Sequence, residues 1–391
     1  MRFSDRVGRI SESATMAVTA EAARLRRAGV DVVALGAGEP DFPTPENIKQ
    51  AAVRAIESNF TRYTAAGGIP ELREAIVAWH ARELGTDYGP SECIATVGGK
   101  HAIFNFLAAV VDRGAEVILP VPYWVTFYDV INYYGGTPVK VRTQESNAFS
   151  LTADDIEGAI TDRTRVVIVN SPNNPSGAVV ERGEYERILR LTSGKGVTLL
   201  SDECYSHFTY SSDPFSIAAS EGAKQNVAVA GSLSKTFAMT GWRLGYLLGP
   251  ADLISNANKL QSHATSNPNS IAQKAALEAL EGNMDAVYAM LEQYRARREY
   301  VVAALNDIPG VTCPQPNGAF YAYPNISSTF GRGGIHSGMD FAKRLLGEAH
   351  VALVPGEAFG TTEHVRLSYA ASMQDLEEGV RRIRAFIDGL T

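Results

Sequence analysis

The stretch VAVAGSLSKTFAMTGWRLGYLLG, residues 227–249, places one lysine between two serine hydroxyls and a later arginine. It opens with a short apolar run that is typical of a buried strand, and a Gly-Ser break follows that run. We therefore predict that Lys235 lies just beyond a strand end, and strand ends in α/β proteins face the ligand crevice. Arg243 and Ser232 could together hold a phosphate, the guanidinium as a bidentate donor and the hydroxyl as a further donor.

A lysine beside a phosphate-binding pair indicates pyridoxal phosphate as a cofactor. Such a lysine must be partly neutral to form an imine, and burial or a neighbouring cation lowers the pKa of a lysine in that direction. Taken alone, Lys235 could equally be a surface lysine in a serine-rich turn. The other strand ends of the chain are needed to decide between these interpretations.

Five short apolar runs, each followed by a polar turn, recur along the middle of the chain. They read CIATV, EVILP, RVVIV, VTLLS and VAVAG. Several are rich in β-branched residues and show little alternation, which is typical of strands that are buried on both faces. We predict an α/β fold in which helices cover a mostly parallel sheet. No repeat of 20–50 residues is evident, which excludes a solenoid.

Each of these runs is followed by residues that could contact a ligand. In chain order they are Gly99 and Lys100 at a helix start, Trp124, Asn174, Asp202 with Tyr205, and Lys235. A glycine turn before a helix can bind phosphate through its N–H groups, and an aromatic ring can stack on a planar ligand. Singly, each feature could also be a plain turn, a core residue or a helix cap. Five consecutive strand ends with complementary chemistry favour one shared site.

Several longer motifs extend this pattern over nearly the whole chain. They read GEPDFPTP, RYTAAGGIPELREAI, VGGKHAIFN, PYW, NSPNNPSGAVV, SDECYSHFTY, GSLSKTFAMTGWRLGY and HVRLSYA. Together they resemble the class I pyridoxal-phosphate aminotransferases of fold type I, and among them the bacterial and plant-plastid aspartate/prephenate aminotransferase group. The sequence departs from that group at Ser232, where some relatives have glycine or alanine, and at Cys204, in a stretch that usually reads Asp-Glu-Ile-Tyr.

The resemblance implies an activity and a set of cofactor-binding residues. The activity is transamination between aspartate or glutamate and 2-oxoglutarate or oxaloacetate, with conversion of prephenate to arogenate as a further reaction. Lys235 would form the imine and move the proton, Asp202 would pair with the pyridine N–H, and Tyr205 would bind the phenolic oxygen. The remaining cofactor contacts would come from Gly99, Lys100, Trp124, Asn174, Ser232, Arg243 and, across a homodimer, Tyr63 of the neighbouring subunit.

The resemblance also implies how an amino acid or oxo acid is bound. The substrate-binding residues would be Thr15, Gly38, Lys100, Trp124, Asn174 and Arg366. Arg366 would bind the α-carboxylate, which every substrate of such an enzyme carries. Lys100 and Thr15 would bind the distal carboxylate of a dicarboxylic substrate.

Composition and charge set limits on the class of protein. The chain has 391 residues, of which 45% are hydrophobic and 20% charged, as in ordinary soluble globular proteins with more than one core. A formal net charge of −7 gives no reason to expect nucleic acid binding, and no segment is predicted to enter a membrane. Cys93, Cys204 and Cys313 are far apart, which favours free thiols in the cytoplasm over disulfides or a metal site.

The order of the predicted elements indicates two domains. Residues 46–290 are predicted to form a large domain that binds the cofactor. Residues 1–45 are predicted to join a smaller α+β domain that is formed by residues 291–391. The predicted helices cover 13–29, 46–58, 71–84, 270–306 with a break near 282–283, and 374–387, and the C-terminal strands cover 317–323, 351–354 and 364–369.

Two other interpretations stay open at this point. Another enzyme of the same fold could carry these motifs, such as an aromatic or branched-chain aminotransferase, a carbon–sulfur β-lyase or an aminocyclopropane-carboxylate synthase-like enzyme. A regulator with an aminotransferase-like sensor domain would need a DNA-binding module, and the resemblance begins too early in the sequence to leave room for one. Only the side-chain pocket can separate the enzymes.

Overall fold

The computed structural model of the chain describes Met1 and residues 3–390. Its strands are β1 Val33–Ala34, β2 Cys93–Thr96, β3 Glu116–Val121, β4 Thr137–Arg142, β5 Thr164–Asn170, β6 Thr198–Asp202, β7 Val227–Ser232, β8 Gly245–Leu248, β9 Tyr321–Ala322, β10 Val351–Ala352, β11 Val354–Pro355 and β12 Val365–Ser368. Its α-helices are α1 Ala14–Arg27, α2 Glu46–Glu57, α3 Pro70–Leu84, α4 Gly99–Val110, α5 Val125–Tyr134, α6 Ala153–Glu157, α7 Arg182–Gly194, α8 Leu233–Thr236, α9 Ala251–Ala264, α10 Ser270–Glu281, α11 Asp285–Asn306, α12 Gly338–Arg344 and α13 Met373–Asp388.

A seven-stranded sheet in the order β2-β8-β7-β6-β5-β3-β4 forms the centre of the fold. Neighbouring strands from β4 to β7 are parallel, whereas β8 is antiparallel to both β7 and β2. Because β2 and β7 are both antiparallel to β8, which lies between them, β2 and β7 run in the same direction. The C-terminal ends of β2, β3, β5, β6 and β7 therefore meet at one edge, as the prediction of a mostly parallel α/β sheet requires.

The sheet is buried on both faces by helices. All residues of β2, β7 and β8 are buried, which explains why their sequences show no polar alternation. Helices such as α2 present one buried stripe, formed by Ile48, Ala51, Ala52 and Ala55, to the core. Helix α3 begins with Pro70 in its first turn, where the missing N–H costs little, and ends at Gly85 in the left-handed conformation.

Two smaller sheets join distant parts of the chain. β1 pairs in parallel with β10, which connects the N-terminal segment to the C-terminal part. β11, β12 and β9 form a three-stranded antiparallel sheet in that order. The division of the chain into domains at residues 45 and 290 stays a prediction.

The predicted elements agree with the structure in most of the chain. The break near residues 282–283 separates α10 from α11, and the five apolar runs all form strands. Several elements have no counterpart in the prediction, among them β4, β8, α6, α9 and α12. The segment predicted as a strand over 317–323 is mostly irregular, with only β9 regular. Among the described residues, no helix is both long and apolar enough to cross a membrane.

Candidate active site

A cavity of about 350 Å³ opens at the edge where the parallel strands end. Every predicted site residue except Tyr63 lines it. These residues are Thr15, Gly38, Gly99, Lys100, Trp124, Asn174, Asp202, Tyr205, Ser232, Lys235, Arg243 and Arg366. The topology explains this convergence, since each residue follows a strand end or belongs to a segment that packs over that edge of the sheet.

Lys235 lies in α8, a single turn that begins directly after β7. Its Nζ donates a hydrogen bond to the backbone carbonyl of Gly38, which belongs to the loop after β1. Burial is the main cause that lowers the pKa of Lys235 below its usual value, while Arg366 and Arg243 act in the same direction. The amine is therefore easier to deprotonate than an exposed lysine, as a nucleophilic amine requires.

Asp202 is the last residue of β6, and only 4% of its surface is exposed. Its carboxylate accepts a hydrogen bond of 3.1 Å from the backbone N–H of Cys204. Burial raises the pKa of Asp202 to about 7, because the charged form is disfavoured away from water. A cation placed in the cavity would hold this carboxylate in its charged form.

An anion-binding cradle lies at the N-terminus of α4. Gly98 precedes that helix with φ +80° and has no side chain to cap it, so the first N–H groups of the helix are free for a ligand. A Cβ at Gly98 would lie 2.5 Å from Nη2 of Arg243, and one at Gly99 would lie 3.1 Å from Cβ of Ser232. Helix N–H groups, a hydroxyl and a guanidinium thus converge where only glycine fits.

Arg366 belongs to β12, and only 2% of its surface is exposed to solvent. Its Nη1 donates to Oδ1 of Asn174 at 2.7 Å, and its Nη2 donates to the carbonyl of Gly36 at 2.8 Å. Its Nε has no hydrogen-bond partner among the described residues. A buried guanidinium in this state provides a binding site for a carboxylate from outside the protein.

Lys100 and Thr15 face the part of the cavity between α4, α5 and α1. Nζ of Lys100 lies 5.1 Å from the ring centroid of Trp124, a cation–π distance. Burial, and to a lesser extent Arg243, lowers the pKa of Lys100. Oγ1 of Thr15 lies 2.8 Å from Oγ of Ser13. Both side chains are polar groups that a second anionic substituent of a ligand could reach.

Tyr63 is the predicted site residue that lies outside this cavity. It is 90% exposed, in the segment between α2 and α3. Its predicted role is toward the site of a neighbouring subunit, so its exposure in a single chain leaves that role a prediction.

Comparison with known proteins adds an independent observation. A family model described as aminotransferase class I and II matches residues 30–383. The chain belongs to this family. It is 46% identical to the aspartate aminotransferase of Streptomyces avermitilis, covering 99% of this chain and 96% of the relative. It is 45% identical to the aspartate/prephenate aminotransferase of Cereibacter sphaeroides, covering 100% of this chain and 99% of the relative.

A solved structure agrees with these sequence matches. The aspartate aminotransferase of Thermus thermophilus with maleate is 42% identical to this aminotransferase and has a TM-score of 0.93. The match covers 98% of this chain and 100% of that chain. The predicted fold, a large α/β unit of the pyridoxal-phosphate fold type I, is therefore confirmed.

Tyr321 is a cavity residue that the sequence reasoning did not single out. Its hydroxyl lies 2.7 Å from that of Tyr205, and the guanidinium of Arg366 lies 4.5 Å from its ring centroid. Its hydroxyl would also lie 2.7 Å from a Cβ at Gly38, so that glycine is required for close approach. The only signal in the sequence was its place in the strand-like segment around β9, which gives no indication of what it contacts.

Asn170 is a second cavity residue that the sequence reasoning did not single out. It ends β5, and its Oδ1 accepts a hydrogen bond of 2.8 Å from the backbone N–H of Asn174. Its Nδ2 donates to the carbonyl of Asp202. Asn170 therefore fixes the loop that carries Asn174 to the end of β6, and the NSPNNP motif contained the signal that could have identified it.

Proposed function

We propose that this aminotransferase uses pyridoxal 5'-phosphate to transfer the amino group between L-aspartate or L-glutamate and 2-oxoglutarate or oxaloacetate. The observation that carries the proposal is one cavity that holds Lys235, the buried carboxylate of Asp202 and the buried guanidinium of Arg366. A nucleophilic amine, a carboxylate for a cationic ring and a carboxylate-binding arginine are the groups that this reaction needs.

The residues around the cavity fit this cofactor in charge and shape. The cradle at Gly98, Gly99, Ser232 and Arg243 has the donors and the lack of Cβ atoms that a phosphate group requires. Asp202 ends β6, the strand next to β7 in the sheet, and its carboxylate would accept the pyridine N–H. Trp124 also lines the cavity, and its ring would stack on the cofactor ring. Tyr205 and Asn174 would donate to the phenolic oxygen.

The chain's own residues would then divide the work of proton transfer and binding. When bound, pyridoxal phosphate supplies the electron sink that stabilises the negative charge left by loss of the α-proton. Nζ of Lys235, with its lowered pKa, would accept that proton and return it at a neighbouring carbon. Asp202 would keep its charge beside the cationic ring, and Arg366 would hold the α-carboxylate so that the α-proton faces Lys235.

The preference for a dicarboxylic substrate rests on Lys100 and Thr15. Arg366 can bind one carboxylate, and Lys100 is a second cation that lines the cavity, over the ring of Trp124. The relative crystallised with maleate and the relative named for prephenate support this assignment, since each of those ligands carries two carboxylates. We propose prephenate as a second acceptor on the same grounds.

Covalent attachment of the cofactor to Lys235 tests the proposal directly. The purified protein should be yellow, and borohydride reduction should fix the cofactor to the peptide that contains Lys235. Label on a different lysine would refute the assignment. Lys235→Ala should lose transamination because no base is left to move the proton. A panel of amino donors assayed with 2-oxoglutarate and oxaloacetate then separates aspartate from aromatic and branched-chain donors, and from β-lyase substrates.

We further propose a homodimer with shared active sites, in which Tyr63 of one subunit reaches the cofactor phosphate of the other. Tyr63 is 90% exposed, so its side chain is available for contact with a neighbouring subunit, which supports the proposal. Mixing inactive Lys235→Ala subunits with inactive Tyr63→Ala subunits should restore part of the activity through hybrid dimers. A fully active monomer in sedimentation would refute the proposal. A cytoplasmic location stays a prediction from the sequence.

A further inference from the structure

Glu145 connects two parts of the fold that are separate in sequence. It follows β4, the edge strand of the seven-stranded sheet, in a short 3-10 turn. Its carboxylate accepts hydrogen bonds from Thr312 Oγ1 at 2.9 Å and from Asn325 Nδ2 at 2.8 Å, and it lies 3.2 Å from His364 Nε2. All three partners belong to the last 80 residues of the chain, so one side chain collects three contacts from the opposite part of the molecule.

The three partners form one row across neighbouring extended segments. Thr312 is bridged to Asn325, and Asn325 is bridged to His364, in both cases antiparallel. Residues directly opposite one another in antiparallel pairs share a face, so their side chains point to the same side. Glu145 therefore binds a face of this β-structure at several points, and a sliding movement of any one segment would break a contact.

His364 joins that row to the substrate-binding strand. It directly precedes β12, and Arg366 follows two residues later, so both side chains lie on the same face of the strand. The ring of His364 is stacked on Tyr323 at 4.8 Å and meets Phe149 edge-on at 5.3 Å. Phe149 belongs to the same turn as Glu145, so polar and aromatic contacts hold His364 from the same side.

The backbone of this turn is held in an uncommon conformation. Ala148 and Phe149 have φ +46° and φ +60°, and two consecutive left-handed residues other than glycine are rarely seen. The conformation places the carboxylate of Glu145 and the ring of Phe149 on His364 together. The surroundings must hold the turn in place, which favours a role that depends on its geometry.

From these contacts we infer that Glu145 is a positioning residue, which fixes the strand of Arg366 against the seven-stranded sheet and so sets the binding geometry of the substrate α-carboxylate. The inference rests on the proposed function of Arg366. Asn174, which follows β5, accepts a hydrogen bond from Arg366, so the strand is held to residues that follow the large sheet at two points, an inner one at Asn174 and an outer one at Glu145. Loss of the outer point would leave the guanidinium attached but less well oriented.

Glu145→Ala in the cofactor-loaded protein tests this inference. We expect the KM for aspartate and for 2-oxoglutarate, and the Kd for maleate, to rise about tenfold, because misplacing a binding group weakens each carboxylate ligand. We expect kcat to change less than threefold and the Kd for pyridoxal phosphate to stay unchanged, because the cofactor contacts lie on the large sheet. Glu145→Gln, which keeps one acceptor oxygen, should recover part of the loss.

Glu186→Ala is a matched control. The side chain of Glu186 is 34% exposed against 28% for Glu145, and it pairs with Arg182 of its own helix at 3.1 Å. It should leave all five constants unchanged, namely the two KM values, the Kd for maleate, kcat and the Kd for pyridoxal phosphate. Thr312→Val removes a single exposed donor and should raise KM about twofold, so the inference stays testable should Glu145→Ala fail to fold.

The possible outcomes separate this inference from the proposed function. A wild-type protein that neither transaminates aspartate nor binds maleate would overturn the proposed function and this inference with it. If the wild type is active but Glu145→Ala has unchanged KM and maleate affinity, the inference alone is overturned. If Glu145→Ala does not fold, an unchanged KM in Thr312→Val overturns it in the same way. A joint loss of kcat and of pyridoxal phosphate affinity would also overturn it, because it would indicate a general loss of structure.

Discussion

Asp202→Asn should stabilise the cofactor-free protein while it removes the activity. Burial raises the pKa of Asp202 from the usual 3.8 to about 7. Each pKa unit corresponds to about 1.4 kcal/mol, so the charged carboxylate lowers the free energy of unfolding by on the order of 4 kcal/mol once both states are ionised. Asparagine is isosteric, carries no charge and keeps an oxygen for the N–H of Cys204.

The sign of the pH dependence follows from the two pKa values. Below about pH 4 the carboxyl is protonated in both states and contributes no difference. Between about pH 4 and 7 only the unfolded state loses its proton, so the fold becomes progressively less stable, and above pH 7 the loss is complete. Asp202→Asn should therefore raise the melting temperature only slightly at pH 5 and by several degrees at pH 8.

Thermal unfolding of both cofactor-free proteins at pH 5, 6, 7 and 8 measures this difference. Asp213→Asn, at an exposed loop position, is the control and should show no pH-dependent gain. Addition of pyridoxal phosphate should stabilise the wild type more than Asp202→Asn, because the cationic ring then compensates the buried charge. Transamination by the variant should fall on the order of 100-fold or more. A variant that is destabilised equally at pH 5 and pH 8 would refute the reasoning.

Two further predictions concern the substrate pocket and the turn after β4. Lys100→Ala should lower kcat/KM for aspartate and glutamate by about tenfold to a hundredfold, the equivalent of about 1.5–3 kcal/mol for a charge-assisted contact, and should spare alanine as a donor. Steady-state assays with the three donors check this, and an equal loss for all of them would mean that Lys100 serves only the cofactor. Ala148→Gly should raise the apparent melting temperature by about 1–2 °C, because φ +46° costs alanine roughly 1–2 kcal/mol and glycine's greater freedom when unfolded offsets only part of this. A lower melting temperature in a thermal scan would contradict this view of the turn.

Much of the cavity was predictable because its residues sit at sequence-local landmarks. Asp202 and Lys235 follow apolar runs that can only be buried strands, and parallel strands bring their C-terminal ends to one edge. Arg366, by contrast, was predicted as a site residue from the family resemblance and not from a sequence pattern. The motif HVRLSYA contains no signal that Arg366 faces the ends of β5 and β6, which are more than 160 residues away in the sequence. The structure brings it there through β12 and its bond to Asn174.

Three of the elements that the sequence reasoning missed were missed for different reasons. β4 is a half-exposed edge strand that contains Pro138 and Lys140, so its apolar signal is weak. β8 is only four residues long and follows Arg243, where the chain makes a left-handed turn. Helix α9 has a mostly polar surface and buries Ile254, Ala257 and Gln261, a spacing of three and four that would have revealed it.

Contacts between residues far apart in sequence were beyond prediction for a different reason. The bond between Tyr205 and Tyr321 spans 116 positions, and the contact between Glu145 and His364 spans 219. Periodicity assigns a residue to a face of its own element but does not say which other element covers that face. Such pairs follow only from the complete topology, which is why the orientation of Arg366 required the structure.

The charge of the cavity differs from that of the whole chain, and this difference bears on the substrate. The chain carries a formal net charge of −7, yet the described residues that line the cavity include three cations beside the Lys235 amine, namely Lys100, Arg243 and Arg366, and Asp202 as their only carboxylate. A phosphate group brings a charge of about −1.5 to −2 to the Arg243 end, and a dicarboxylate brings two further negative charges. Asp202 and a cationic ring neutralise each other. A donor without a side-chain carboxylate would place no anion beside Lys100, so the position of this cation favours aspartate and glutamate over alanine.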